Sequence, residues 1–336
     1  MPPLFPVATL WTSPVEEIIE GPLALDEGRV FVSTRGGTIR ALDRATGALV
    51  WRRAGKGGLL AAAEGALVVR GSDGTVSRLV PGTGAVSWSV DSGVSGSLPA
   101  VVDGDRVLVA GNGIAAVDLE GGRLLWSAPG GTAATAPPVG AGARILVGEA
   151  DGTLRCRDRA TGLSLWTYRT GSALLAPALV DDRRDVFLGT TDRRFLSLDL
   201  DKGRFRWRWK LGTDVQAAAV RFDDRVLFAA FDAVLYALDR GRGDLVWRVP
   251  LPSRPLSGPL LTGTSVLIAC HETYVLGFEA KTGRPLGTLK TPAEIRTPPL
   301  LDNGRLYIGL RDRSVLALRL GAGEPPKANP PASPYP

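Results

Sequence analysis

The residues of this chain that are best suited to chemistry lie together as Cys270, His271 and Glu272. A thiol, an imidazole and a carboxylate are the groups from which a nucleophile–base pair is built. Adjacent residues of a strand point to opposite faces, so the sequence predicts that the Cys270 and His271 side chains do not meet. His271 is left as a candidate ligand contact or pH-sensitive group.

The rest of the chemical inventory is small. His271 is the only histidine, and Cys156 is the only other cysteine, so no Cys/His cluster for zinc can form. No phosphate-binding loop, nucleophile elbow or paired-carboxylate motif is present. The sequence therefore predicts no catalytic residue, no cofactor-binding residue and no metal ligand, and it predicts that the protein is not an enzyme.

The elements that position these residues come from an internal repeat. The segments ALDRATGALVW (41–51), AVDLEGGRLLW (116–126), CRDRATGLSLW (156–166) and ALDRGRGDLVW (237–247) share one pattern. Tryptophans end six such units at 37- to 41-residue spacing, Gly287 takes the seventh position, and Trp11 lies 40 residues before Trp51. Each unit alternates apolar and polar residues between Gly/Asp turns, as four short strands do.

Eight units of about 40 residues with four strands each predict an all-β, eight-bladed β-propeller. The strand at residues 8–13 should complete the last blade beside residues 316–320. We expect one domain over residues 1–320 and a flexible, proline-rich tail over 321–336.

The repeated tryptophans are predicted to be structural. A large flat ring with one N–H donor suits the wedge between diverging blades. The glycine of each turn should supply a positive φ, as Gly47 would in the first blade. The predicted docking tryptophans are Trp11, Trp51, Trp88, Trp126, Trp166, Trp207 and Trp247.

The segment KGRFRWRWK (202–210) alternates basic and aromatic residues, which is also typical of nucleic-acid-binding grooves. Aligned with the other units it becomes the outer strand of the fifth blade, with Phe205, Trp207 and Trp209 on one face. Arg206 is the exception, because four other units have the aliphatic residues Val50, Leu125, Leu165 and Val246 there. A contact of Arg206 and Arg208 with an anionic partner is left as a hypothesis.

In a propeller, the loops between second and third strands meet at one opening of the central channel, here called the channel mouth. Several carboxylates around one opening could bind a cation or a basic partner. The interpretation we favour is turn chemistry, as in Asp73-Gly74 and Asp151-Gly152. The mouth candidates are Arg35, Asp73, Asn112, Asp151, Asp192, Asp232, His271, Glu272 and Arg311.

The pattern AxDxxTGxxxW, intact in residues 41–51, resembles the tryptophan-docking motif of the quinoprotein (PQQ-type) propeller family. The resemblance covers residues 7–320 and is closest to the BamB-like, non-catalytic branch, which assists outer-membrane β-barrel assembly. The resemblance implies a scaffold whose loops bind protein partners. The catalytic branch carries adjacent disulfide-bonded cysteines and a calcium site, whereas Cys156 and Cys270 are not adjacent, so no cofactor is expected.

The leading prediction is a non-catalytic protein-interaction scaffold. The alternatives are a sensor that binds a small molecule or cation at the mouth and, last, a PQQ-dependent dehydrogenase. The net charge of +6 is scattered along the chain, so we expect protein partners and no nucleic acid. We also expect a monomer without a transmembrane segment; the chain as written has no leader and would be cytoplasmic, whereas the resemblance suggests the periplasmic face of the outer membrane.

Overall fold

The computed structural model describes residues 5–55, 58–63 and 65–321. In these residues the strands form eight sheets of four strands each. The prediction of an all-β, eight-bladed propeller is confirmed. The predicted tail lies outside the described residues apart from Gly321. None of the described residues forms a helix long and apolar enough to cross a membrane.

The strands of each blade are named in order from the channel outward. Blade 1 has β2 (Ala24–Leu25), β3 (Arg29–Ser33), β4 (Ile39–Asp43) and β5 (Leu49–Arg53). Blade 2 has β6 (Leu59–Ala63), β7 (Ala66–Arg70), β8 (Thr75–Leu79) and β9 (Val86–Asp91). Blade 3 has β10 (Val101–Asp103), β11 (Arg106–Ala110), β12 (Gly113–Asp118) and β13 (Leu124–Pro129). Blade 4 has β14 (Val139–Ala141), β15 (Arg144–Gly148), β16 (Thr153–Asp158) and β17 (Ser164–Arg169).

The second half of the ring repeats this plan. Blade 5 has β18 (Leu179–Val180), β19 (Asp185–Gly189), β20 (Arg194–Asp199) and β21 (Phe205–Lys210). Blade 6 has β22 (Val220–Phe222), β23 (Arg225–Ala230), β24 (Val234–Asp239) and β25 (Leu245–Pro250). Blade 7 has β26 (Leu260–Thr262), β27 (Ser265–Ala269), β28 (Tyr274–Glu279) and β29 (Pro285–Lys290). Blade 8 has β30 (Leu300–Asp302), β31 (Arg305–Gly309), β32 (Ser314–Arg319) and β1 (Ala8–Pro14).

The ring closes through the chain's first strand. β1 pairs antiparallel with β32, from Ala8 opposite Arg319 to Pro14 opposite Ser314. The eighth blade thus combines both ends of the described chain, as the split repeat predicts. Opening the ring here would expose a full ladder of backbone hydrogen bonds, which is unfavourable.

The core consists of layers between neighbouring blades. Between blades 5 and 6, Phe195 and Phe228 stack with ring centroids 3.9 Å apart, and Trp207 packs against the same cluster. The second strands are buried on both faces, as in β11, where Val107 to Ala110 are all buried. Because each face contacts another blade, the sequences of these strands are continuous apolar runs and do not alternate apolar with polar residues.

Candidate functional site

The loops of the channel mouth are held in pairs. Each loop between a second and a third strand lies beside the loop that enters its blade. Single β-bridges join the two loops at Ile19 and Thr34, Ala134 and Glu149, Pro255 and Cys270, and Ile295 and Leu310. The mouth therefore presents its side chains on a rigid support, the usual setting for binding loops.

In three polar mouth candidates, a side-chain oxygen accepts a hydrogen bond from a backbone N–H and so holds the loop backbone in place. Asp73 and Asp151 each accept a hydrogen bond from the N–H two residues later, at 3.0 and 2.9 Å. Asn112 Oδ1 accepts from the Ser95 N–H of the neighbouring loop at 3.1 Å. The backbone N–H of Thr153 holds the pKa of Asp151 below its ordinary value, because it stabilises the carboxylate. These contacts agree with the turn interpretation.

Asp192 and Asp232 are hydrogen-bonded within their own loops. Asp192 accepts from the Thr190 hydroxyl at 2.5 Å and also pairs with Arg194. Asp232 accepts from the Tyr236 hydroxyl at 2.7 Å. Burial raises the pKa of Tyr236, so its phenol is a proton donor throughout the physiological range.

The two basic mouth candidates pair with acidic residues of the adjacent loops. Arg35 Nε lies 4.0 Å from Glu20 Oε1, and Arg311 Nη1 lies 2.9 Å from Glu294 Oε2. All four side chains are exposed. Exposed pairs of this kind contribute about 0–1 kcal/mol each, so they arrange the surface more than they stabilise the fold.

The cation-binding alternative requires several oxygen ligands around one point. Within the described ranges, no three His, Cys, Asp or Glu side chains are grouped closely enough to hold a metal ion. The mouth carboxylates lie on separate blades, and the four aspartates bond within their own loops, so the structure does not bring them together.

The Cys270-His271-Glu272 triplet is divided between core and solvent. Cys270 is fully buried between blades 6 and 7, and burial raises the pKa of its thiol to about 11. His271 and Glu272 are exposed, and Glu272 has a φ of 83°. Cys156 is also buried, and its pKa rises to about 12. Both cysteines are free thiols and neutral at pH 7, so neither is a ready nucleophile.

The docking tryptophans join each blade to the next. Six of them donate Nε1–H to a backbone carbonyl of the following blade at 2.7–3.1 Å. The accepting residues are Arg44, Pro81, Leu119, Arg159, Leu200 and Arg240. Each accepting residue follows the first residue of a turn, so the repeat places donor and acceptor together.

The indole rings lie against the turn glycines. A Cβ atom on Gly203 would lie 2.5 Å from the Trp166 ring, and one on Gly243 would lie 2.5 Å from Trp207. These glycines also have φ values of +65° and +77°. The positive φ of these glycines was predicted from the sequence; the neighbouring indole ring, which leaves no space for a Cβ atom, is a second reason for glycine at these positions.

The junction between blades 7 and 8 differs from the others. The outer strand of blade 8 is β1, from the start of the described chain. Gly287 replaces the tryptophan in blade 7. The Phe5 ring packs on Gly287 instead, 2.7 Å from where a Cβ would lie. Phe5 therefore fills the space of a docking tryptophan, a role not predicted from the sequence.

The comparison of the chain with protein families agrees with this architecture. The family model described as outer membrane protein assembly factor BamB matches residues 8–135 and 231–325, more than half of the chain. The chain belongs to the BamB family. In this member of the BamB family, seven of the eight tryptophans occupy the repeated docking position.

Two curated relatives show the range of proteins that share the repeat. The outer membrane protein assembly factor BamB of Legionella pneumophila is 25% identical over 175 residues, covering 48% of this chain and 45% of that protein. The tetrathionate hydrolase of Acidithiobacillus ferrooxidans is 24% identical over 177 residues, covering 45% and 35% respectively. Each match spans less than half the length of the relative.

Solved structures show the same fold over nearly the whole chain. BamB from Moraxella catarrhalis superposes with a TM-score of 0.80 at 20% identity, covering 96% of this chain and 100% of that structure. The quinohemoprotein alcohol dehydrogenase of Comamonas testosteroni reaches a TM-score of 0.75 at 14% identity, covering 95% and 77%. The propeller fold is thus shared by an assembly factor and an oxidoreductase.

In this BamB-family propeller, three arginines that follow a turn aspartate, Arg44, Arg159 and Arg240, make contacts between blades that were not predicted from the sequence. Their side chains pair with acidic residues of the preceding blade, namely Asp302, Asp103 and Asp105, and Asp181 and Asp182. Their carbonyls accept the tryptophan N–H from that same blade. Each arginine directly follows the aspartate of a turn. In each preceding blade, the turn between the first and second strands contains an acidic residue. These two patterns together could have predicted the contacts from the sequence.

Arg70 is a second residue that sequence reasoning missed. It ends β7, where most other blades have Gly, Ala or Ser. Its guanidinium is buried and donates to the carbonyls of Val94, Leu98 and Ala110 at 3.2, 2.6 and 2.7 Å. Burial lowers the pKa of Arg70 to about 10, so it remains charged at neutral pH. Arg70 fixes the loop that leads into blade 3.

The outer strand of blade 5 corrects one prediction. Phe205 was expected to share one face of the strand with Trp207 and Trp209. A β-bulge places Phe205 opposite Leu198 and Trp207 opposite Ser197, and Arg206 is the extra residue. Phe205 is 49% exposed, whereas Trp207 is 7% exposed. The bulge removes Phe205 from the blade interface, because an extra residue breaks the two-residue period.

Two aspartates beside the outer strand of blade 5 explain why position 206 is occupied by a basic residue. In blade 5, Asp185 lies opposite Asp199, whereas the corresponding pair in blades 1, 3, 4 and 6 is Arg with Asp. Arg206 lies 2.6 Å from Asp185 and 3.2 Å from Asp199 and supplies the missing positive charge. Burial raises the pKa of Asp185, and Arg206 opposes that rise. Arg206 is therefore a structural residue, and it no longer supports the anionic-partner hypothesis.

Proposed function

We propose that this chain is a non-catalytic scaffold that binds other proteins during the assembly of outer-membrane β-barrel proteins. Membership of the BamB family is the observation that carries the proposal. The fold supports it, because rigidly paired loops at the channel mouth can present contacts to a partner without being reshaped. Curated relatives with this repeat are named outer membrane protein assembly factors.

The chemistry of the described residues supports a non-catalytic role. The tetrathionate hydrolase and the alcohol dehydrogenase use the same fold, so the fold alone does not decide the function. In this chain Cys156 and Cys270 are buried neutral thiols, and His271 does not lie with Cys270. The four mouth aspartates bond to their own loops. A scaffold uses such groups as contacts and needs no further chemistry from them.

The proposal predicts the result of affinity capture from native membranes. The tagged chain should enrich proteins of outer-membrane β-barrel assembly over a tag-only control, measured by quantitative mass spectrometry after mild detergent extraction. The mouth variant Arg35→Glu with Arg311→Glu should reduce this enrichment about fivefold or more, because rim charges steer association. The matched variant Lys202→Glu with Lys281→Glu changes the same charge on exposed turns at the other end and should not.

Two results would count against the proposal. If the wild-type chain enriches no assembly protein, the scaffold function is wrong. If the mouth variant and its matched control retain the partner equally, the partner binds elsewhere on the propeller.

A further inference from the structure

The outer strand of blade 5 carries cations that the fold does not use. Arg204, Arg208 and Lys210 are exposed, and no hydrogen bond or ion pair joins their side chains to another described residue. Most buried or half-buried arginines of the propeller are paired with carboxylates or carbonyls. Like-charged groups kept close together on one strand repel each other unless an anion lies beside them.

These cations lie on a free sheet edge. Among the described residues, β21 pairs only with β20, and its other side has no strand partner there. The Asp199 N–H donates to the Arg204 carbonyl at 2.8 Å, so Asp199 faces β21, and so does Ser197 two residues away. Trp207, opposite Ser197, therefore directs its backbone groups at β20, and Arg208 directs its own away from the sheet.

The side chains along this edge alternate in character. Arg208 and Lys210 are two residues apart and share one face, and Trp207 and Trp209 share the other. Phe205 lies exposed at the start of the strand. A strand added to this edge would therefore meet cations on one face and, on the other, the half-buried ring of Trp209, because Trp207 is buried between blades 5 and 6.

The other outer strands are less suited to strand addition. Proline occurs within β1, β13, β25 and β29, as Pro14, Pro129, Pro250 and Pro285. Proline blocks pairing or marks a protected edge. β9 ends in Asp91, and on β5 Arg53 already donates to the Gly84 carbonyl at 3.1 Å. β17 lacks proline and acidic residues but has a single cation, Arg169. β21 combines two unpaired cations, Arg208 and Lys210, with the absence of proline and of acidic residues.

We propose that β21 is a docking edge for an extended acidic segment of a partner protein, in which acidic and apolar residues alternate. Acidic side chains two residues apart would lie beside Arg208 and Lys210, while the apolar ones contact the aromatic face. Edge pairing needs backbone N–H and C=O groups, which a polypeptide has and a nucleic acid or lipid surface lacks. The proposal rests on the scaffold function, since it names the chemistry of a segment that the scaffold binds.

Binding of a synthetic peptide to the purified chain tests this edge. The probe is a fluorescein-labelled, eight-residue peptide in which Glu alternates with Val, and the readout is fluorescence anisotropy at low salt. The variant Arg208→Glu with Lys210→Glu should raise the Kd about tenfold or more, because each favourable cross-strand pair becomes a repulsive one. The control Arg52→Glu with Lys290→Glu changes the same charge at the equivalent positions of blades 1 and 7, and its Kd should stay within about twofold.

A second probe separates strand pairing from simple charge attraction. The same peptide, N-methylated at alternate residues, keeps its charge but cannot pair with an edge, so its Kd should also rise at least about tenfold. Thermal unfolding confirms that each variant is folded, and Arg208→Gln with Lys210→Gln replaces the charge reversal if that variant unfolds.

Three outcomes would overturn the proposal. One is that the parent peptide does not bind, and another is that its affinity is lost equally in the control variant. The third is that the N-methylated peptide, single-stranded DNA or phosphatidylglycerol vesicles bind as tightly as the parent peptide. Because purified components are used, a negative result here leaves the capture of assembly proteins by the mouth unaffected, and the two proposals fail separately.

Discussion

Replacement of Trp207 by alanine is expected to lower the free energy of unfolding by about 4 kcal/mol. The indole is 7% exposed and packs with Phe187 and Phe195 at the interface of blades 5 and 6. Its Nε1–H donates to the Arg240 carbonyl at 2.9 Å, so the substitution leaves both a cavity and a carbonyl without its donor. Urea unfolding followed by tryptophan fluorescence and circular dichroism measures the loss.

Trp247→Ala is the matched control for this prediction. Trp247 docks on Gly283 in the same way, but it is only half-buried, and its Nε1 has no acceptor among the described residues. The loss should be about 1–2 kcal/mol smaller than at Trp207, because less surface and no hydrogen bond is removed. Equal losses at the two sites would show that the indole hydrogen bond does not contribute to blade docking.

Replacement of Arg240 by methionine is expected to lower the free energy of unfolding by about 3–5 kcal/mol, although the two side chains have similar volumes. Arg240 Nη1 lies 2.9 Å from Asp181 Oδ2, and the side chains are 6% and 0% exposed. Without the guanidinium, the Asp181 carboxylate is buried without a counter-charge. The same pairing lowers the pKa of Asp182, so its loss should also make the variant's stability less dependent on pH near the Asp182 titration.

The sign of that pH effect follows from the direction of the shift. A carboxyl whose folded pKa is lowered stabilises the fold above its unfolded pKa, near 3.8, and this contribution is lost as the pH falls through the folded value. Wild type should therefore lose more stability than Arg240→Met between about pH 5 and pH 2.

Arg159→Met is the internal reference for Arg240. It joins blades 3 and 4 by the same kind of contact, 2.7 Å from Asp103, but the side chains are 23% and 26% exposed. The expected loss is about 1 kcal/mol, because water solvates the carboxylate that remains. Adding Asp181→Asn to Arg240→Met should recover at least half of the loss. If the double variant is no more stable than Arg240→Met, the buried charge is not the cause.

The blade plan could be predicted from the sequence because its causes are local. Strand alternation, turn glycines and the tryptophan phase are each set within about 40 residues, and they recur. The split unit at the two ends indicated the closure of the ring by β1. The role of Phe5 was not predicted, because it depends on a contact with Gly287, which is 282 residues away in the sequence.

The contacts between blades were less predictable because they join residues far apart in sequence. The role of Arg206 became clear only from the strand register, which places Asp185 opposite Asp199. The sequence does show that Asp185 occupies a position where other blades have arginine. The exposure of Phe205 depends on a bulge, and a bulge depends on register. At the mouth, sequence position indicated the loops correctly, but the local hydrogen bonds of Asp151, Asp192 and Asp232 depend on side-chain geometry.

The most direct test of the scaffold function is deletion of the gene in the source organism. The amount of folded β-barrel protein in the outer membrane would be measured by heat-modifiable electrophoretic mobility, before and after complementation. We predict that the amount of folded barrel protein decreases in the deletion strain. Expression of the wild-type chain or of the Lys202→Glu, Lys281→Glu variant should restore it, whereas the Arg35→Glu, Arg311→Glu variant should not. Unchanged levels of folded barrel proteins in the deletion strain would contradict it.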